Sequence, residues 1–430
     1  MAMPLATTQA APADVHGSRR AWAAVAVLTL VGTLNYVDRF LPAVLAEPIK
    51  IDLALSDTAI GVINGFGFLI VYAVLGVVIA RVADRGAFGA VISGCLTLWG
   101  AMTMAGGAVQ SGFQLALTRV GVAVGEAGST PAAHAYVAHN FAPGRRAAPL
   151  SVITLAIPLA SAASLIGGAW LAETLGWRTA FVIVGALSVV VAPLVLFLLG
   201  ARQSLPVRAL PEPGRAAGNW WELLRKPSVL AIVAAGGCIA AAGYSLTTFA
   251  PAFLMRTRGM SLGEVGLEYG IASGVTGILG LLLIGWLADR LAARDPRWLL
   301  WIVAALTVVL LPTSVLAFTV DARSPGVWLV ALSYVIGTAY MAPSIAAIQR
   351  LVLPEQRATA SAIFLFFNAT VGSLGPFLTG LISDTLNAEF GADALGIALL
   401  SLVPALQALA VVFLIVAANR FRRDVVEVVY

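Results

Sequence analysis

The sequence predicts an all-α membrane protein of twelve transmembrane helices in two six-helix repeats. Three observations carry that expectation. Of the 430 residues, 60% are hydrophobic and only 11% charged, against about 25% charged in a soluble domain. Apolar runs long enough to span a bilayer, which takes ~20 helical residues, recur along the whole chain. Two parts of the chain also come into register at a fixed offset.

Residues 1–20 are polar and lack a separate apolar core, so no cleavable signal peptide is expected and helix 1 itself directs insertion. Apolar runs follow at 21–45, 58–82, 88–109, 112–139, 148–173 and 180–199, and then at 228–255, 262–291, 298–320, 327–349, 358–383 and 395–416. Lipid cannot satisfy bare backbone N–H and C=O groups, so continuous runs of this length must be helices. Pro42, Pro131 and Pro158 are placed to bend theirs. Gly121, Gly125 and Gly128 let helix 4 approach its neighbours closely. Between the halves, residues 201–227 are rich in Pro, Arg and Gly and read as a cytoplasmic linker. It is either a plain tether or one carrying a short surface helix at "NWWELLRK". The expected organisation is a tail at 1–20, bundles at 21–200 and 228–418 around the linker, and a tail at 419–430.

The net charge is +5, and its distribution orients the chain. With the N-terminus inside, nineteen basic residues face the cytoplasm and five face out. By the positive-inside rule both termini are cytoplasmic, as expected of a multi-pass protein of the cell inner membrane. The basic excess reports topology and contact with anionic membrane lipids, with no nucleic acid implied. Cys95 and Cys238 lie inside helices 3 and 7 and read as packing residues, not a disulfide framework. His134 and His139 have no third metal ligand nearby in sequence, and no cofactor is expected.

An offset of 205 brings "SDTAIGVINGFG" from Ser56 onto "SLGEVGLEYGIA" from Ser261, pairing Gly61 with Gly266 and Gly65 with Gly270. The same offset aligns "ARVADR", residues 80–85, with "GWLADR", residues 285–290, so helices 2 and 8 are equivalent. An offset of 211 aligns Arg146 with Arg357 and Glu173 with Asp384, making helix 5 the counterpart of helix 11. Two such halves with a site between them are an architecture of secondary transporters. The paired "ADR" loops, Arg119 opening "RVGVAVGEA", "LGWRTAFVIVG" and "FFNATVGSLGPFLTGLISD" resemble the major facilitator superfamily over nearly the whole chain. "NYVDRF", "GVAVGEAGSTPAAHA" and "QRLVLPEQRATASAIFLFFN" more closely resemble the bacterial branch of the Spinster family. That resemblance implies the major facilitator fold and proton-linked transport, with lysophospholipids or sphingoid lipids as substrates.

An ionisable group at bilayer depth is costly and is by default a functional hypothesis. Away from helix ends the sequence has four: Asp38, Arg39, Arg119 and Glu126. At ~1.5 Å rise per residue, Asp38 and Arg119 each lie about 10 Å below the outer surface, and Glu126 about 10 Å deeper on the face of Arg119. Arg39, a helical step of about 100° from Asp38, lies on another face. With helices 1 and 4 adjacent, as the resemblance implies, the four form a charged column. A carboxylate beside an arginine holds its charge, whereas one left alone in apolar surroundings tends to take up a proton. Arg119 cannot serve both carboxylates fully, so Asp38, Glu126 and Arg119 are the expected proton-coupling residues. A static ion network bracing the helices is the alternative.

Helices 7, 10 and 11 carry no ionisable core residue but offer Tyr244, Thr248, Tyr340 and Asn368 among other aromatic and polar groups. A cavity charged on one wall and apolar on the other suits an amphipathic solute. Its expected contacts are Arg39, Arg119, Glu126, Asn35 and Tyr36 on the first half and those four residues on the second. For any one aromatic, lipid contact or packing is the competing role. Asp84 and Arg85, with Asp289 and Arg290, fall after helices 2 and 8, where a carboxylate can face the positive end of a neighbouring helix. The resemblance implies a conformational latch there, although Ala80 replaces the usual Gly and "GAFGA" lacks the usual basic pair.

The only lysines, Lys50 and Lys226, follow Ile49 and Arg225, so neither completes a Walker A loop. A membrane enzyme would want a nucleophile and base, or metal ligands, clustered at depth. The expected activity is proton-coupled transport of a lipid-like amphiphile by a monomer. A facilitator of a small organic acid, sugar or drug, or a non-transporting receptor or structural protein, are the alternatives.

Overall fold

In the computed structural model the described residues are 19–66, 87–142, 145–200, 223, 225–353 and 356–424. Among them every regular element is a helix. α1 is Arg19–Val44, followed by a short connector helix, Ala46–Asp52. α2 opens at Asp57–Gly61 and runs into a π-helical turn, Val62–Phe66; the rest of the expected helix 2, like the linker over 201–222, lies outside the described residues. α3 is Phe88–Gly106, α4 is Gly112–Glu126 then Ser129–Asn140, α5 is Ala148–Leu175 and α6 is Trp177–Leu199. The second half comprises α7 (Pro227–Arg258), α8 (Leu262–Ala292), α9 (Trp298–Thr319), α10 (Arg323–Arg350), α11 (Arg357–Gly372 then Leu374–Phe390) and α12 (Ala394–Asp424).

Several rods are less continuous than the apolar runs predict. α4 breaks at Ala127 and Gly128, α5 at Leu155, α10 at Tyr340 and α11 at Ser373. These breaks sit one helical turn before Pro131, Pro158, Pro343 and Pro376, whose rings remove an N–H and crowd the carbonyl of the preceding turn. Pro42, in contrast, stays inside α1.

Arg20 Nε donates to the Leu198 carbonyl (3.3 Å) and the Ser228 N–H to Asp424 (3.2 Å), so the start and finish of each half meet at one end of the molecule. We call this the terminal end and its opposite the distal end. The halves meet distally. The hydroxyls of Ser56 and Ser261, one repeat apart, cap α2 and α8 by accepting from the N–H groups of Ala59 and Glu264, and a π turn follows each cap. A Cβ on Gly61 would collide with the Pro376 carbonyl, and one on Gly266 with the Leu165 carbonyl. Leu165 and Pro376 are themselves one repeat apart, so α2 on α11 and α8 on α5 are two copies of one contact. Only glycine lets backbones approach this closely.

Apolar packing follows the same plan. At the distal end one core cluster joins both halves, from Leu41, Trp177 and Phe181 to Phe249, Phe253 and Leu399. Toward the terminal end it divides into one cluster around Trp99 and Tyr136 and another around Tyr340, Phe364 and Phe421.

Ion pairs reinforce the distal seam. Arg256, near the end of α7, holds Asp57 with two bonds of 2.8 Å and Glu47 of the connector at 2.6 Å. Asp57 also accepts from Lys50 (2.7 Å) and from Ser383 of α11 (2.7 Å). Asp384 of α11 caps α2 from the other half, accepting from the N–H groups of Asp57 (2.9 Å) and Thr58 (2.8 Å) and from the Thr58 hydroxyl (2.6 Å). A carboxylate at a helix N-terminus meets orphan N–H donors and the positive end of the helix dipole. The connector is anchored to its own half by Asp52, which accepts from Arg178 and from Trp177 Nε1.

Burial alone would push the Asp57 carboxyl up, but the bonds and charge of Arg256, with Lys50 and Ser383, more than offset this and hold it at about 2. Its contribution is therefore complete above the ordinary value of 3.8 and is lost only as pH falls through about 2. Isotope-edited infrared titration is expected to find Asp57 ionised from about pH 8 to about pH 4; a midpoint inside that window contradicts the ion-pair geometry. Gly61→Ala is expected to favour distal opening, since overpacking of this kind costs about 1–3 kcal/mol, or roughly tenfold in population. The readout is labelling, by an impermeant maleimide, of a cysteine placed at Ser373 in a chain lacking Cys95 and Cys238; a rate equal to that of the parent contradicts the seam.

Candidate functional site

Between the distal seam and the divided terminal half lies the deepest charge in the molecule. α1 presents Asn35 and Asp38, each 1% exposed, with Arg39 one step around the helix. α4 presents Arg119 (4% exposed) and, at the last residue before its break, Glu126, which is fully buried. Helices can bring these groups together only because small residues let their axes close. A Cβ on Gly125 would lie 2.6 Å from Trp99 N, so α4 rides directly on the α3 backbone. Gly32 of α1 meets Ala156 of α5, and Gly168 of α5 meets Leu41.

The pairing differs in one respect from the expected competition. Arg39 Nε donates to Glu126 Oε2 at 2.8 Å, so the step that turns Arg39 off the Asp38 face aims it at α4. Asp38 Oδ1 accepts from the Thr103 hydroxyl of α3 at 2.6 Å. Arg119 lies within the electrostatic reach of both carboxylates and of Arg39. Two arginines and two carboxylates thus cancel, with Asp38, Arg119 and Glu126 buried and the Arg39 side chain 20% exposed. Isolated buried ions are prohibitively costly, whereas a balanced, hydrogen-bonded set can persist.

The set is nonetheless incompletely bonded. Asp38 Oδ2, Glu126 Oε1 and both ends of the Asn35 carboxamide are buried with no hydrogen-bond partner among the described residues. Asn35 stands beside Glu126 but does not reach bonding geometry. Buried polar atoms are almost always satisfied, so these atoms have hydrogen-bonding capacity left over. Tyr36 extends the site outward, its ring 5.2 Å from the Arg39 guanidinium and 6.2 Å from Phe40.

The opposite wall is less open than the sequence suggests. Tyr340 donates to Asn368 Oδ1 at 2.6 Å and both are buried, so they satisfy one another within the packing of the second half. Thr248 is buried as well. Tyr244 is half-buried, with its ring against Gly372. Asp289 and Arg290 are exposed at the terminal end, where Arg290 lies over Trp286 at 5.2 Å. Asp84 and Arg85 lie outside the described residues. Among the described residues no three His, Cys, Asp or Glu side chains are grouped to hold a metal.

Sequence reasoning missed Thr103 and the distal clamp. Thr103 is one of three hydroxyl residues in α3, with Ser93 and Thr97, and threonine is too common in such helices to stand out. The clamp left a clearer mark: Asp384 was already paired with Glu173 by the repeat, and Arg256 and Lys50 are two of the five outward basic residues.

The family model of the Major Facilitator Superfamily matches residues 28–376. An "MFS-type efflux pump" of Mycolicibacterium smegmatis is 71% identical over 99% of both chains. Human protein spinster homolog 1 is 30% identical over 84% of this chain and 73% of its own length. The crystal structure of a bacterial homolog of the human lysosomal transporter Spinster, inward-facing and unoccupied, superposes with a TM-score of 0.81 at 26% identity, covering 96% of this chain and 100% of that one. The chain belongs to the major facilitator superfamily and is a transporter of the Spinster type, not an enzyme.

Proposed function

We propose that the chain is a proton-coupled exporter that moves an amphipathic compound, such as a lysophospholipid or sphingoid lipid, by alternating access. The observation that carries this reading is the balanced but under-bonded cluster of Asp38, Arg39, Arg119 and Glu126. A proton on Glu126 cancels its attraction for Arg39 and leaves Arg119 to Asp38; a proton on Asp38 does the reverse. Either event changes which contacts hold α1 to α4, and an equilibrium moves only by such differential interactions. The membrane potential contributes ~2.3 kcal/mol per charge per 100 mV, enough to bias a switch of a few kcal/mol.

Positive-inside bias makes the terminal end cytoplasmic, with both termini inside an inner membrane, so the state described is closed to the outside. The bundles over 21–200 and 228–418 would rock about the cluster as a monomer. A latch of Asp84, Arg85, Asp289 and Arg290 would form only when the cytoplasmic end closes, consistent with Asp289 and Arg290 being exposed here. Arg39, Arg119, Glu126, Asn35 and Tyr36 would meet the polar head of the solute, with Tyr244, Thr248, Tyr340 and Asn368 along its tail. Of these four only Tyr244 is more than slightly exposed in this state, so the tail path forms as the halves move. Export, and a drug-like amphiphile as a second candidate cargo, draw support from the efflux pump that is 71% identical.

In proteoliposomes with an imposed proton gradient, Glu126→Gln and Asp38→Asn are each expected to lower gradient-driven flux at least about tenfold, the loss general-acid-type groups show. Flux intact in both variants contradicts proton coupling at this cluster. Labelled lysophospholipid is expected to move and a small organic anion not to; the opposite pattern removes the lipid assignment while leaving the transporter.

A further inference from the structure

We propose that Thr103 is a positioning residue of the proton site: its hydroxyl fixes which oxygen of Asp38 takes the proton and sets the pH at which it does so. The inference rests on the reading of Asp38 as a proton-coupling carboxylate.

Threonines inside this bundle generally bond their own helix. Thr29, Thr33, Thr97, Thr247 and Thr307 each donate to the carbonyl four residues back, the usual resting place of a helical hydroxyl. Thr103, 1% exposed, instead donates across to Asp38 Oδ1 at 2.6 Å. A hydroxyl gives up its local bond where a charged acceptor offers a stronger one. With Oδ1 stabilised by the hydroxyl, the proton is directed to Oδ2, which has no partner among the described residues. Once Asp38 is neutral, the hydroxyl can rotate back to the Trp99 carbonyl one turn earlier, so its bond is available in both states but is strong in only one. That difference favours the charged carboxylate.

Among the described residues, the helices around Asp38 carry other titratable groups. α4 supplies Arg119 and Glu126, which also interact with it by charge, and α1 supplies Arg39 on the adjacent face. α1 also carries Tyr36; α3 carries no other titratable side chain than Cys95; α5 and α6 carry theirs, Glu173 and Arg178, at the distal end; α7 carries Cys238 and Tyr244, with Arg256 and Arg258 at the distal end. Thr103 is therefore the hydroxyl that tunes Asp38 without changing the charge of the site.

The test is pH-difference infrared spectroscopy of the purified full chain, reading the protonated-carboxyl band that Asp38→Asn removes. Thr103→Val, with Thr103→Ala as a second hydroxyl-free variant, is expected to move the midpoint of that band to higher pH by about one unit and to shift its frequency. Thr103→Ser is expected to restore both. A midpoint unchanged in the hydroxyl-free variants overturns the role of Thr103 alone. Absence of any band assignable to Asp38 in the parent overturns the reading of Asp38 as a proton site, and this inference with it. Loss of folding in both hydroxyl-free variants, with Thr103→Ser also shifted, overturns it in favour of a packing role.

Discussion

Burying four charges at bilayer depth is the constraint on which the structure depends. Each ion alone would cost several kcal/mol to desolvate, so Asp38, Arg39, Arg119 and Glu126 must stay close enough to neutralise one another. That requirement dictates small residues where α1, α3, α4 and α5 cross, because a single Cβ at Gly125 would push α4 off α3. It also accommodates the hydroxyl at Thr103, which donates to Asp38 at 2.6 Å. The cluster is bonded well enough to exist and too incompletely to be inert.

The distal seam is where the central geometry is read out. α1 passes directly from Arg39 to the connector helix, which carries Glu47 and Lys50. Eight residues separate Arg39 from Glu47, a rise of about 12 Å along a helix. A tilt of α1 caused by a change at Glu126 therefore moves Glu47 and Lys50 relative to Arg256 of the other half. Because Asp57 and Arg256 keep their charges through the neutral range, the clamp is not itself a pH sensor. In the proposed cycle it would report the state of the centre, and its loss would mark the second arrangement that alternating access requires.

Much of this was legible in the sequence, for physical reasons. Lipid forces every span to be a helix, so apolar run lengths alone place the rods. An ionisable residue at depth is rare, so four letters in the sequence pointed to the centre without any contact being known. The twin glycines of α2 and α8 announced the two equivalent crossings. What escaped depends on partners far apart in the chain. Nothing local says that Asp384 caps α2 or that Arg256 reaches Glu47. Hydropathy is blind to the breaks in α4, α10 and α11, because a proline removes one backbone bond without interrupting an apolar run. The bond within the second wall was hidden for a similar reason: Tyr340 and Asn368 look like free polar groups until the fold pairs them.

The most direct test of the account is the spin-label distance across the distal end of the full chain in lipid nanodiscs, followed as pH is lowered from about 8 to about 5 without substrate. The account predicts two discrete distances whose populations exchange with pH, and loss of that exchange when Asp38 and Glu126 are both neutralised. A single distance unaffected by pH, or an exchange that persists in the doubly neutralised chain, would contradict it.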